Sequence, residues 1–169
     1  LTLTRGAWLG AAAGAGVLFL IKDIRLTALI PLVGAVALLV APEALSDRMN
    51  SIGDRSDPTT RDRVAMLEAG VAMVRDHPLT GVGPDMVGRR YPRYRVPWAV
   101  QASNPHLHNV PVQIAAERGL PALAIWAWFV VSLGRGVWER IRRARVSALA
   151  AGALASLAAM LAAGLFEYN

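Results

Sequence analysis

Four apolar blocks, almost without charge in their middles and separated by charged residues, constrain this chain more than any other feature. The first runs from about Ala7 to Ile21 (AWLGAAAGAGVLFLI) and the second from about Leu26 to Ala41. The third runs from about Leu120 to Val137 and the fourth from about Val146 to Phe166. A soluble domain would interleave its apolar residues with polar ones. Here 54% of the chain is hydrophobic and gathered in blocks, which is the pattern of a membrane protein. A helix needs roughly 20 residues to cross the hydrocarbon core, with about 17 as a lower limit. Blocks three and four meet that alone. Blocks one and two need flanking residues such as Trp8, Lys22 and Arg25 at the interfaces. A signal-peptide core is the alternative for block one, but a second apolar block follows after only KDIR. Gly10, Gly14, Gly16, Gly152 and Gly164 lie where small residues allow close helix packing.

Charge orients the blocks. Lys22 and Arg25 stand between blocks one and two. Arg135, Arg140, Arg142, Arg143 and Arg145 stand around the end of block three and before block four, against the single Glu139. Both short connections are therefore expected on the cytoplasmic side. The segment from Pro42 to Arg118 is then external, as is Arg5 at the head of the first helix. Between Pro42 and Glu117 there are nine Arg and nine Asp or Glu, so that segment has no bias of its own. The net charge of +6 belongs to Arg beside apolar blocks and does not point to nucleic acid. Without cysteine there is no disulfide framework and no thiolate metal site.

The external segment has its own order. Asp57-Pro-Thr-Thr60 is a helix start, with Thr59 or Thr60 as the expected N-cap. Val64, Leu67, Val71 and Val74 recur at helical spacing, and Met66, Ala69 and Met73 widen that stripe. Arg61 falls at the solvated start of this helix. Asp76-His77-Pro78 ends it, because a residue before proline is pushed from helical geometry. A turn follows, LTGVGP, whose Gly81 and Gly83 shape the backbone. The run RRYPRYR (Arg89 to Arg95) is basic and aromatic and reads as broken by Pro92. NPHLHNVPVQIAAERGLPAL then leads back toward the membrane, with Val112, Ala115, Ala116 and Gly119 suited to a helix.

These residues together carry a family likeness. TRGAWLG, then an Arg-led amphipathic helix ending in RDHPLTGVGPDM, then HLHNVPVQIAAERGLPAL, resembles the O-antigen ligase and polymerase superfamily of bacterial inner-membrane enzymes. DHPLTGVGP resembles its His-Pro-aliphatic-x-Gly-x-Gly element. His108-Asn109 followed by Glu117 and Gly119 resembles its His-Asn…Glu-x-Gly element. The likeness covers nearly the whole chain, with Thr4, Leu67 and Pro111 as departures. It implies an all-α integral membrane protein of about four transmembrane helices with a large, partly helical periplasmic loop. Residues 1–41 would hold two spans, 42–118 the periplasmic loop with the site, and 119–169 two more spans. The chain would be a fragment of a larger one, matching the C-terminal half of such enzymes.

The resemblance also implies a reaction: glycosyl transfer from an undecaprenyl-pyrophosphate-linked glycan to a hydroxyl on a lipid-A core sugar or another repeat unit. The departing pyrophosphate gathers negative charge, which a fixed cation stabilises. Arg suits this because its guanidinium stays charged and grips phosphate with two parallel hydrogen bonds. A base near neutral pKa helps remove the acceptor proton. By the resemblance, Arg5 and Arg63 match the family's two essential Arg, and His108 its His. No Asp-x-Asp pair or His/acid cluster appears at metal spacing, so neither metal nor other cofactor is expected. Arg5 reads equally as an interface anchor, and His106 stands close enough to compete with His108. Arg89, Arg90, Arg93 and Arg95 with Tyr91, Tyr94 and Trp98 fit either a glycan groove or a headgroup-facing anchor. Glu117 is expected to orient its neighbours. The rival class is a non-catalytic membrane module of a polysaccharide exporter, whose charges would be expected inside the apolar blocks.

Overall fold

A computed structural model describes residues 5–40, 58–143 and 148–166, without the side chains of residues 5 and 37–40. Residues 42–57 and Arg145, with the expectations that fall on them, lie outside the described residues. Among the described residues every regular element is helical. The order is α1 (Arg5–Lys22), a short 3-10 turn (Ile24–Ala28), α2 (Leu29–Val40), α3 (Pro58–Asp76), α4 (Val87–Tyr94), α5 (Val110–Arg143) and α6 (Ala148–Gly164). The described part of each apolar block is helical, apart from a turn at Leu165 and Phe166. Only Asp23 interrupts the first two, and its carboxylate accepts the Arg25 backbone N–H at 2.9 Å. α5 is long and apolar enough to cross a membrane; α1, α2 and α6 are shorter apolar helices. At about 1.5 Å per residue, the part of α5 beyond Gly119 rises about 36 Å against a hydrocarbon core of about 30 Å. This is the helical composition of a membrane protein.

The chain divides into two units. One is formed by Leu1–Ile52 and Val130–Ala163, the other by Gly53–Phe129 and Gly164–Asn169. In the first, α1 meets α6 through small residues. A Cβ on Gly10 would stand 2.8 Å from the Ala159 carbonyl oxygen, and one on Gly14 3.1 Å from that of Ala155. Backbones approach this closely only where side chains are small, so a side chain at Gly10 would force the helices to shift, and one at Gly14 would be tight. Gly152 has open space around it and serves no such contact.

In the second unit Met66, Ala69 and Met73 of α3 pack with Val87, Tyr91, Leu107 and Ala116. The apolar stripe expected along α3 is thus turned. Its flanking set faces the core, while Val64 and Val71 stay 43% exposed and Leu67 36%. α3 is apolar on two sides, and periodicity could not tell which side the core would take. The helix begins at Pro58 and ends at Asp76. Thr59 and Thr60 therefore lie inside its first turn instead of capping it, and proline takes the first position, where no N–H is needed.

A backbone joint ties the Pro78–Gly83 turn to α5. Gly119 adopts φ 80 and ψ 173, a conformation natural to glycine. Pro121 has no N–H to give the Glu117 carbonyl. The turn supplies what the helix loses. Val82 N–H donates to Ala116 O at 2.8 Å and Gly83 N–H to Glu117 O at 3.1 Å, while Leu120 N–H donates to Pro78 O at 2.7 Å. A Cβ on Gly119 would strike the Leu79 carbonyl, and one on Gly81 the Glu117–Arg118 peptide. The two glycine-bearing motifs are two halves of one joint.

Candidate active site

The first turns of α3 carry three consecutive polar residues with different surroundings. Arg61 is exposed and reaches the Trp98 carbonyl only at 3.4 Å. Asp62 is 5% exposed and points inward. Its Oδ1 accepts the Gln101 backbone N–H at 3.1 Å and its Oδ2 accepts from Asn104 Nδ2 at 3.3 Å. A buried carboxylate needs such donors, and here they anchor the loop before α5 to α3. Arg63 is half-buried and faces an open cleft of about 230 Å³, shared with Asp62, Met66, Gln101, Asn104 and His108. Arg63 and His108, distant in sequence, line the same cleft.

His108 sits in an unusual backbone. Its φ is +49, in the left-handed region, which a non-glycine residue adopts at a cost in free energy. The residue after it explains the local turn. Asn109 Oδ1 accepts the Val112 N–H at 3.0 Å and so caps α5. Pro111 falls within that first turn, where it removes no helix hydrogen bond. His106 and His108 stack edge to face with ring centroids 5.4 Å apart. Below them runs a buried polar chain. Leu107 N–H donates to Gln113 Oε1 at 2.8 Å, Gln113 Nε2 donates to Glu117 Oε1 at 2.8 Å, and Arg118 Nη1 pairs with Glu117 Oε2 at 3.1 Å.

The basic run folds as the eight-residue α4, which continues through Pro92 instead of breaking there. Arg89, Arg93 and Arg95 are exposed, and Arg90 and Tyr94 half-buried. Tyr94 donates to Asp76 Oδ2 at 2.9 Å; partial burial, then this bond, raise its phenol above the ordinary range. Tyr91 is separated from the others, fully buried in the core, and offers no ring to a groove. Burial raises its pKa, against Asn104 and Arg95 and with Asp62. Asn104, whose amide donates to Asp62, stands beside the Tyr91 hydroxyl outside hydrogen-bonding geometry, and that hydroxyl lacks a partner among the described residues. Trp98 is exposed, at 38%. Arg5 opens α1, and its side chain lies outside the described ones. Among the described residues no three His, Asp or Glu side chains gather as a metal cluster.

A family model described as O-antigen ligase (Wzy_C) matches residues 1–127, from before α1 into α5. The chain belongs to the O-antigen ligase family. No curated protein matches it. Membership brings a membrane protein family and O-antigen ligase- or polymerase-type glycosyl transfer, with lipid-linked glycans as the general substrate class. Within this O-antigen ligase domain lie both glycine-bearing motifs and the whole cleft. Asp62, Gln101, Asn104 and Gln113 are not among the residues expected at the site from the sequence. Of these only Asp62 left a trace, as an acid three residues before Ala65 and four before Met66, on the face that proves to be buried. Asn104 and Gln101 sit in irregular backbone, where no periodicity marks which side is inward.

Proposed function

We propose that the chain forms the catalytic half of an inner-membrane enzyme that moves a glycan from undecaprenyl pyrophosphate to a hydroxyl acceptor. The acceptor is a lipid-A core sugar or the end of another repeat unit. In this reading His108 takes the acceptor proton as general base, and Arg63 and Arg5 hold the leaving pyrophosphate without a metal. Arg89, Arg90, Arg93, Arg95 and Tyr94 guide the glycan across an exposed face, and Tyr91 supports them from the core. Residues 1–41 and 119–169 each contribute two spans, and 42–118 form the periplasmic loop.

The observation that carries this reading is the shared cleft of Arg63 and His108, in a chain of the O-antigen ligase family. An Arg donor and an imidazole lining one cavity can serve a departing phosphate and an attacking hydroxyl together. The orientation rests on the Lys22/Arg25 and Arg135–Arg143 excess. A Ser56→Cys in the full-length protein should then react with an impermeant thiol reagent outside the inner membrane. Reaction only after that membrane is lysed would reverse the topology.

The decisive experiment is genetic. A strain lacking the full-length protein should accumulate lipid-linked glycan: polymer if the protein is a ligase, single repeat units if a polymerase. Unchanged lipid-linked pools would contradict both.

A further inference from the structure

We infer that Gln113 and Glu117 are positioning residues, which hold His108 toward the cleft through the hydrogen-bonded chain that ends on Leu107. The inference rests on the reading of His108 as the general base. His108 is held in left-handed backbone, so its neighbours must fix it. Leu107, before it, is 1% exposed in the core, and its N–H is bound by Gln113 Oε1. Asn109, after it, is bound as the cap of α5. Both neighbours are thereby tied to the first turns of one helix.

The polarity of the chain is set from its far end. An amide offers an acceptor on one side and donors on the other, whereas a carboxylate only accepts. Glu117, 3% exposed, can receive only the Nε2 side of Gln113, which turns Oε1 toward the Leu107 N–H. Arg118 holds the second Glu117 oxygen, leaving the carboxylate fixed on both sides. Neither Gln113 nor Glu117 lines the cleft, so both act through Leu107 and not on substrate. The acid of the Glu-x-Gly element thus acts on the histidine of the His-Asn element, while Gly119 of the same element serves the backbone joint.

The test uses the full-length protein in proteoliposomes, with a synthetic undecaprenyl-pyrophosphate-linked oligosaccharide as donor and acceptor glycan supplied. Gln113→Glu sets two carboxylates face to face and removes the donor between them. Displacing a reacting group by about 1 Å costs about 10²-fold, so kcat should fall by that order while donor KM stays within about threefold. Adding Glu117→Gln puts a donor back between the two side chains with its direction reversed, relieves the repulsion that displaces the acceptor of the Leu107 N–H, and should restore kcat to within about fivefold of wild type. If Gln113→Glu does not fold, Gln113→Met, uncharged and close in volume, should show the same loss of kcat at constant donor KM. Wild-type kcat in the single variants overturns the inference, as does a double variant no better than Gln113→Glu. A loss spread over kcat, donor KM and melting temperature alike would mark a structural role and overturn it too. His108→Ala is measured beside them. If it transfers normally, the base reading fails and takes this inference with it; if it is inactive while Gln113→Glu is normal, only this inference fails.

Discussion

The cleft between α3 and the loop before α5, and the basic face at α4, both present arginine, yet they are built differently. In the cleft, Arg63 stands beside a buried carboxylate with two donors and shares the lining with a histidine whose neighbours are both hydrogen-bonded. Arg89 and Arg93 on α4 and Arg95 just after it are exposed, and the helix itself carries no acid. A fixed cation in a partly buried site can be aimed at a developing charge. Exposed cations in water act as a field, screened over about 8 Å at physiological salt. In the proposed mechanism the cleft serves the chemistry and the basic run attracts the glycan, and substitutions should separate the two.

The largest effect on stability should come from the scaffold of the cleft. Asp62→Ala leaves the Gln101 N–H and the Asn104 amide without their acceptor, at a cost of about 2–4 kcal/mol in the second unit. Melting temperature should fall, and glycan transfer should fall more than about tenfold at 25 °C, as the loop bearing His108 comes away from α3. Retention of both by Asp62→Ala would mean that the loop is held elsewhere. A smaller change is expected on α4. Arg89→Gln with Arg93→Gln should raise the KM for an acidic glycan several-fold, leave kcat nearly unchanged, and lose its effect at high salt. An equal loss of kcat would move α4 into the chemistry and erase the contrast.

The smallest effect is expected at Tyr91. Its hydroxyl has no bonding partner among the described residues, so Tyr91→Phe should change stability by less than about 1 kcal/mol near neutral pH. The phenol's raised pKa gives a sign at alkaline pH. The folded state favours the neutral phenol, so its contribution is full below about pH 10, the ordinary tyrosine range, and is lost as pH rises toward the folded value. Wild type should therefore lose stability above about pH 10 more steeply than Tyr91→Phe. Parallel alkaline curves from thermal unfolding in detergent would refute this.

Much of the fold was readable because the membrane imposes a coarse code. Apolar blocks became helices, Pro78 ended α3, and the two glycine-bearing motifs were recognisable in order. Other features depended on tertiary context. Which side of α3 meets the core could not be read from a helix apolar on two sides, and Pro92 was absorbed into α4 where the sequence suggested a break. The partnership of the motifs was invisible, because it is made of backbone N–H and C=O groups that every residue carries. Arg63 and His108 were legible only through family likeness. Asp62, Asn104 and Gln113 were not, since a buried polar residue looks in sequence like any exposed one.

Arg63 as an oriented cation is the most direct requirement of the proposed mechanism. Arg63→Lys keeps one charge and loses the two-pronged grip on phosphate. Loss of one oriented donor to developing charge costs about 2.7–4 kcal/mol, or about 10²–10³ in rate. Glycan transfer should be compared in membranes holding equal amounts of Arg63→Lys, Arg61→Lys and wild type. Arg63→Lys should fall by that factor, while Arg61→Lys, on the exposed side of the same turn, should stay close to wild type. Equal transfer by Arg63→Lys and wild type, or equal damage from both substitutions, would contradict the account.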